Sequence, residues 1–275
     1  MVALLDSLPS FSPVVSRLLQ LISREESSMS EVGELLERDV ALTADVLRLA
    51  NSPLYGQRHE IDNPRRAMVL LGAKAVRGLV LTVVLRNFSR AASCTPAFQQ
   101  CWRHNLACAL VMSDFAPPAG LSRETGYCLG LLHDAGHLAL LAAHPVSYAR
   151  LLEGGASSAA EMIEKERDLF EIDHCQAGAL LAQAWGLPDA FAASMLHHHD
   201  VDWNLADGKD ASLIAHLACE LANMAGFPGW GAPKEWDTTH IQATLPEIAE
   251  SLRDAGELIS RIAAGINALE CSLCL

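Results

Sequence analysis

The chain is poor in aromatic residues: Phe, Trp and Tyr make up 5% of its 275 residues, while apolar residues of all kinds reach 51%. So high an apolar content with so few rings is carried mainly by Leu and Ala, which lose little entropy in a helix. No stretch alternates apolar and polar residues for long enough to demand a strand, so the composition predicts an all-α fold. Basic residues are scarce too. Lys and Arg number 20 against 33 Asp and Glu, a formal charge of -13, and a surface of that sign repels a phosphate backbone, which excludes sequence-independent nucleic-acid binding. Long uncharged runs are missing: the best candidates, 68–85 and 129–143, are interrupted by Lys74, Arg77, His133 and Asp134, short of the roughly 18–20 residues that span a bilayer. The start, MVALLDSLPS, has no basic region followed by a long apolar one, so neither a secretory leader nor a membrane partner is expected. The eight cysteines (94, 101, 108, 128, 175, 219, 271, 274) fall mostly in apolar helical patterns and read as reduced thiols of a cytoplasmic protein. The closing CSLC lacks the second pair that structural zinc requires.

What is present is helical periodicity. After Pro13, VVSRLLQLIS places Val14, Leu18, Leu19 and Ile22 on one face. Ser30 is placed to cap a second helix carrying Val32, Leu35 and Leu36, and a third, VALTADVLRLANS, turns Leu42, Val46, Leu49 and Ala50 inward before Pro53 and Gly56 stop it. PRRAMVLLG and AKAVRGLVLTVVLRNF follow; LVLTVVL is β-branched but continues the spacing of Ala75, Leu79 and Val83, so it is read as helix. Residues 1–92 form an amino-terminal helical part and 93–275 a helical bundle. The bundle's helices include SRETGYCLGLLHDAGHLALLAAH as one continuous element, DHCQAGALLAQAWG, PDAFAASMLHHH and a final LPEIAESLRDAGELISRIAAGINALE, whose apolar face is either core or the face of a homodimer. HDVDWNLADGK and FPGWGAPKEWD are long irregular loops that can frame a site.

Polar residues stand out in this apolar second half: His104, the His133-Asp134 pair, His174, the run His197-His198-His199-Asp200, and Cys219. Any one alone reads as a core residue bonded to a carbonyl, and His137 and His216 stay in that class. Together they are harder to dismiss, because each buried polar group left unsatisfied costs about 1–3 kcal/mol. A shared polar cluster is expected, and neutral imidazole with carboxylate suits iron, zinc or manganese, although the residues by themselves fix no cofactor.

The order of His104 followed by HD at 133–134 resembles the HD superfamily of metal-dependent phosphohydrolases, and DHCQAGALLAQAWGLP with LHHHD is similar to the later histidine segments of its HD-GYP branch, which hydrolyses a cyclic dinucleotide. LPSFSPVVSRLLQLI, ERDVALTADVLRLANSPLYG and IDNPRRAMVLLGAKAVRGLVL resemble the amino-terminal signature of HDOD domains, a related bacterial signalling domain, with Leu8-Pro9, Ala41-Leu42, 47–52, Tyr55-Gly56, Leu71-Gly72 and Arg77 where that pattern has them. The resemblance runs from about residue 5 to 225 and implies an HD-like bundle with an amino-terminal helical subdomain. It implies a ligand set of His104, His133, Asp134, His174, His198 and His199. It also exposes departures: Cys219 stands where a closing aspartate is expected, Gln100 where a glutamate sometimes falls and His137 where a lysine is expected, and no GYP motif follows HHHD. Cys219 is therefore a candidate altered ligand, since thiolate binds zinc or iron.

In the first half Arg48, Asn51, Ser52 and Tyr55 lie three or four apart. Asn51 and Ser52 can simply end a helix, with Tyr55 packed in the turn. Alternatively Arg48, Asn51 and Arg77 edge a groove where a phosphate-bearing ligand or a partner's carboxylates meet the histidine cluster. The leading expectation is a non-catalytic HDOD-like signalling module binding a protein partner or small ligand. The alternative is a metal-dependent HD-type phosphohydrolase acting on nucleotides or cyclic dinucleotides. A thiol-based or metal-based redox sensor around Cys219 is the least supported, because buried cysteines are usually inert.

Overall fold

The computed structural model describes residues 13–22, 29–57, 59–88, 95–200, 211–239, 241, 252 and 254–273. The first half contributes α1 (Pro13–Ile22), α2 (Met29–Leu36), α3 (Val40–Ala50), a short 3-10 turn (Pro53–Tyr55), α4 (Pro64–Leu71) and α5 (Ala73–Phe88). α1 buries Leu18 and Leu21, the latter not anticipated. α2 begins at Met29, so Ser30 lies inside it and donates to Glu34 at 3.1 Å instead of capping. The true caps are Asp39, whose carboxylate accepts from Leu42 N, and Asn63, which accepts from Arg66 N. α5 is the central element of this half. Its run Leu79–Leu85 is buried on all sides, which is why the sequence shows no polar face there. Thr82, the one polar residue in that run, donates to or accepts from Tyr127 Oη at 2.9 Å and bonds Gly78 O at 2.8 Å.

The second half follows as α6 (Pro96–Phe115), α7 (Arg123–Leu132), α8 (Ala135–Ala143), α9 (Pro145–Gly154), α10 (Ala159–Phe170), α11 (His174–Ala184), α12 (Asp189–His197), α13 (Ala211–Met224) and α14 (Ala255–Ser272). The described residues contain no strand, and no helix among them is long and apolar enough to cross a membrane. The fold is all-α. α6 is the axis of the bundle, with α7, α13 and α14 packed on it. Buried residues of both halves belong to one continuous apolar core, joined where α5 meets α7 and where Phe88 stacks edge-on against Trp185 at 5.4 Å. α14 starts later than the sequence suggests, capped by Asp254; residues 242–251 lie outside the described part. Leu258, Ile262, Ile266 and Leu269 are buried, so its apolar face is spent inside the chain.

Close helix pairs set up what lies inside. A side chain at Gly126 or Gly130 of α7 would begin 2.4 Å from the carbonyl oxygens of Met112 and Cys108 on α6, and one at Gly136 of α8 would begin 1.8 Å from His174 O on α11. Only glycine permits those backbones to approach so far. The expected continuous helix over 122–144 is broken between Leu132 and Ala135, with Asp134 at φ -111 and ψ 18. In an unbroken helix neighbouring side chains diverge by about 100°; the break lets His133 and Asp134 point into the same space.

Candidate metal centre

The imidazoles reach this space from separate elements, and each is oriented from behind. His104, on α6, has Nδ1 2.7 Å from Phe227 O, and His133 has Nδ1 2.7 Å from Gly130 O. His198, at the end of α12, has Nδ1 2.9 Å from Met195 O. His174 opens α11; Glu166 of α10 accepts from its Nδ1 at 2.6 Å and from its backbone N–H at 2.9 Å. His137 donates from Nδ1 to Tyr148 Oη at 2.5 Å, and that hydroxyl in turn donates to Glu166. A ring that donates from Nδ1 carries a bare lone pair on Nε2.

Those Nε2 atoms surround one carboxylate. His198 and His104 lie 3.3 and 3.4 Å from Asp134 oxygens, His137 and His174 3.6 Å and His133 3.8 Å. All these side chains are buried, yet Nε2 of His133, His137 and His198 and both Asp134 oxygens have no hydrogen-bond partner. Burial, the dominant influence, pushes His133 down to about 3 and His137 to about 4, so both rings are neutral at physiological pH. Burial also opposes ionisation of Asp134, but the surrounding His137, His198 and His133 outweigh it and hold the carboxylate well below its usual range. The neutral His133 and His137 rings therefore face the carboxylate with lone pairs, whereas at His174 burial is outweighed by the neighbouring Cys175 and Glu166, which push the ring well above its usual range.

A cation resolves that arrangement. Neutral imidazole and ionised carboxylate are the forms that ligate. Bonds of 2.0–2.1 Å in a tetrahedral site put ligand atoms roughly 3.3 Å apart, and the separations above, with 3.1 Å between Nε2 of His174 and His199, match that spacing. Potential ligand atoms gather in overlapping sets, each within 4.8 Å: His104, His133, Asp134 and Cys219; Asp134, His137 and His174; His174, Cys175, His198 and His199. The residues present fit a first-row ion, and the thiols favour a softer one.

All six histidine and aspartate positions expected from the sequence come together here, with Cys219. His137, expected to be an ordinary core residue, points into the cluster instead. Its place one turn after His133 was the available signal. His216 does behave as expected, with Nδ1 2.7 Å from His198 O. Glu166, Tyr148 and Cys175 were not anticipated. Gln100 donates to Gly231 O at 3.0 Å. Arg48 and Asn51 share an open surface pocket with Gln57, His59 and Asp62, but neither Arg77 nor any clustered histidine lines it. There Arg48 is paired with Asp45, and Asn51 ends α3 while its amide bonds both Ile61 O (2.8 Å) and Ile61 N (2.7 Å). The described residues that line this pocket do not extend it to the histidines, and Asn51 clasps a turn. HDVDWNLADGK runs largely outside the described residues, whereas FPGWGAPKEWD lies over the cluster.

Residues 8–201 match the family model of the HDOD domain. Among solved structures, an HDOD domain protein of unknown function from Geobacter sulfurreducens superposes with a TM-score of 0.77 at 24% identity, covering 98% of this chain and 94% of that one. A candidate phosphohydrolase from Shewanella amazonensis SB2B gives 0.69 at 23% identity, covering 98% of both chains. An uncharacterized protein of Treponema pallidum (strain Nichols) is 25% identical over 205 residues, 72% of this chain but 38% of that protein. The chain thus spans well under half the length of that curated relative.

Proposed function

The chain belongs to the HDOD domain family, and on that premise we propose that it is a non-catalytic signalling module whose buried histidine cluster holds a metal ion and whose surface engages a protein partner or small ligand. The observation that carries the metal is the convergence of the unpartnered Nε2 atoms of His133, His137 and His198 on the unpartnered, buried oxygens of Asp134. His104, His133, Asp134 and Cys219 would hold one ion, and His174, Cys175, His198 and His199 offer a second set. Iron, zinc and manganese all suit imidazole and carboxylate, and the thiols incline the choice toward zinc or iron. When bound, such an ion would supply positive charge against the Asp134 carboxylate. The chain's own contribution is orientation: Glu166, Tyr148 and the carbonyls of Gly130, Met195 and Phe227 fix each ring by its outer nitrogen.

Loss of catalysis is supported by the departures. Cys219 occupies the place of a carboxylate, and the position where a lysine is expected is His137, which is turned to Tyr148 and Asp134 and carries no charge. The alternative, a metal-dependent phosphohydrolase acting on nucleotides or cyclic dinucleotides, keeps one point in its favour: the ligand set around Asp134 is otherwise retained. Elemental mass spectrometry on untagged protein tests the metal. Near-stoichiometric iron, zinc or manganese in wild type that disappears in a folded His133→Ala variant is the expected result; no metal in either removes this reading. Turnover of a phosphodiester by the metal-loaded protein, lost in Asp134→Asn, would establish the alternative instead.

A further inference from the structure

The segment after α13 crosses the open side of the cluster. His104 holds Phe227 O at 2.7 Å, the Cys101 thiol donates to Gly229 O at 3.5 Å and Gln100 donates to Gly231 O at 3.0 Å. Gly229 is buried so deeply that a side chain there would begin 3.4 Å from the His104 ring and 3.5 Å from Asp134 Oδ2. Beside it the Trp230 indole packs on the rings of His137, His174 and His199, with centroids 5.4, 6.1 and 6.2 Å away. Gly226 and Gly231, at φ 94 and φ 64, bound the segment with the left-handed turns that let it double back over the centre.

The space that the described residues leave beside Trp230 is narrow. The cavity lined by His199, Cys219, Asn223 and Lys234 has a volume of about 110 Å³, against roughly 300–1,000 Å³ for pockets that take drug-sized ligands and about 30 Å³ for one water. We infer that Phe227–Gly231 is a strap, plugged by Trp230, that restricts the centre to metal ions and molecules of a few heavy atoms and shuts out nucleotides. The strap is tied to α6 through Gln100, Cys101 and His104. The inference rests on the metal-binding reading for what the centre holds, though not for the closure itself.

Cys219 lines the narrow cavity and Cys271 is exposed, so thiol labelling measures the aperture without needing a metal. The 275-residue protein, stripped of any bound ion with a chelator so that Cys219 is unligated, is treated separately with methyl methanethiosulfonate and with fluorescein-5-maleimide, and labelling is mapped by peptide mass spectrometry. In wild type the small reagent should reach Cys219 while the large one labels it to less than about a tenth of that extent; Cys271 should take both. Trp230→Ala should raise fluorescein labelling of Cys219 at least about tenfold and leave Cys271 unchanged. Buried Cys128 reports unfolding; should Trp230→Ala expose it, Trp230→Phe takes its place with a smaller rise expected. Fluorescein labelling of wild-type Cys219 as fast as that of Cys271 overturns the strap, and so does failure of the small reagent to reach Cys219. Metal content measured before the chelator is added separates the two ideas: absence of any ion defeats the metal reading while the size ladder still decides the strap.

Discussion

At the scale of single residues, the two most informative positions are ones a helical pattern reads past. Glu171, following α10, sits at φ 60, a left-handed conformation that costs an L-residue about 1 kcal/mol more than glycine. Glu171→Gly is therefore expected to stabilise the protein by about 1 kcal/mol, seen as a rise of about 2–4 °C in the thermal midpoint for a chain of this size; a lower midpoint would contradict the assignment. Glu166 behaves in the opposite sense. It is buried and accepts hydrogen bonds from His174 Nδ1, the His174 backbone N–H and the Tyr148 hydroxyl. Removing it strands those donors, so Glu166→Ala should cost about 3–5 kcal/mol, measured by urea unfolding, with loss of metal from the centre. The sequence did carry a hint. Glu166 falls four residues after buried Met162, on the apolar stripe of α10, where an unpartnered carboxylate is out of place. The histidines and Asp134 were legible because a known pattern orders them; Glu166 and Tyr148 were not, because they serve the rings from behind and belong to helices with no motif of their own.

At the scale of elements, the three-to-four-residue apolar spacing was enough to find nearly every described helix, since each buries one face against a neighbour and α5 buries all of its own. The break at 133–134 left only a faint trace in the sequence: Asp134 is of a type common at N-caps and does precede α8, but its side chain caps nothing and is turned to the histidines instead. The break arises from tertiary demand: α8 must turn to lie on α11. Gly136 makes that contact, and an alanine there would drive Cβ to within 1.8 Å of His174 O. Either α8 or α11 must then shift, carrying Asp134 or His174 with it. Gly136→Ala is expected to cost at least about 3 kcal/mol and to abolish metal binding even where the protein remains helical by circular dichroism. Retention of both stability and metal would mean that the helices are not held in this contact.

At the scale of the whole molecule, the question is whether the two halves are separate units. A boundary near residue 92 was drawn from the order of motifs, and the connecting residues 89–94 lie outside the described part. Against independence stands the shared core: α5 packs on α7, Thr82 bonds Tyr127, and Phe88 rests on Trp185. The chain offers a built-in test, because all five tryptophans, at 102, 185, 203, 230 and 236, belong to the second half. Tryptophan fluorescence therefore reports on that half and, through Trp185, on its contact with Phe88, whereas far-ultraviolet circular dichroism reports helices in both. A single cooperative unit predicts coincident denaturation curves. It further predicts that zinc at 100 times its dissociation constant, which binds only in the second half, raises both curves equally, by about 2.7 kcal/mol. If zinc moved the fluorescence transition and left part of the circular dichroism transition behind, the amino-terminal helices would be folding on their own. The centre's occupancy could not then reach the surface around Arg48 and Asn51 through the core.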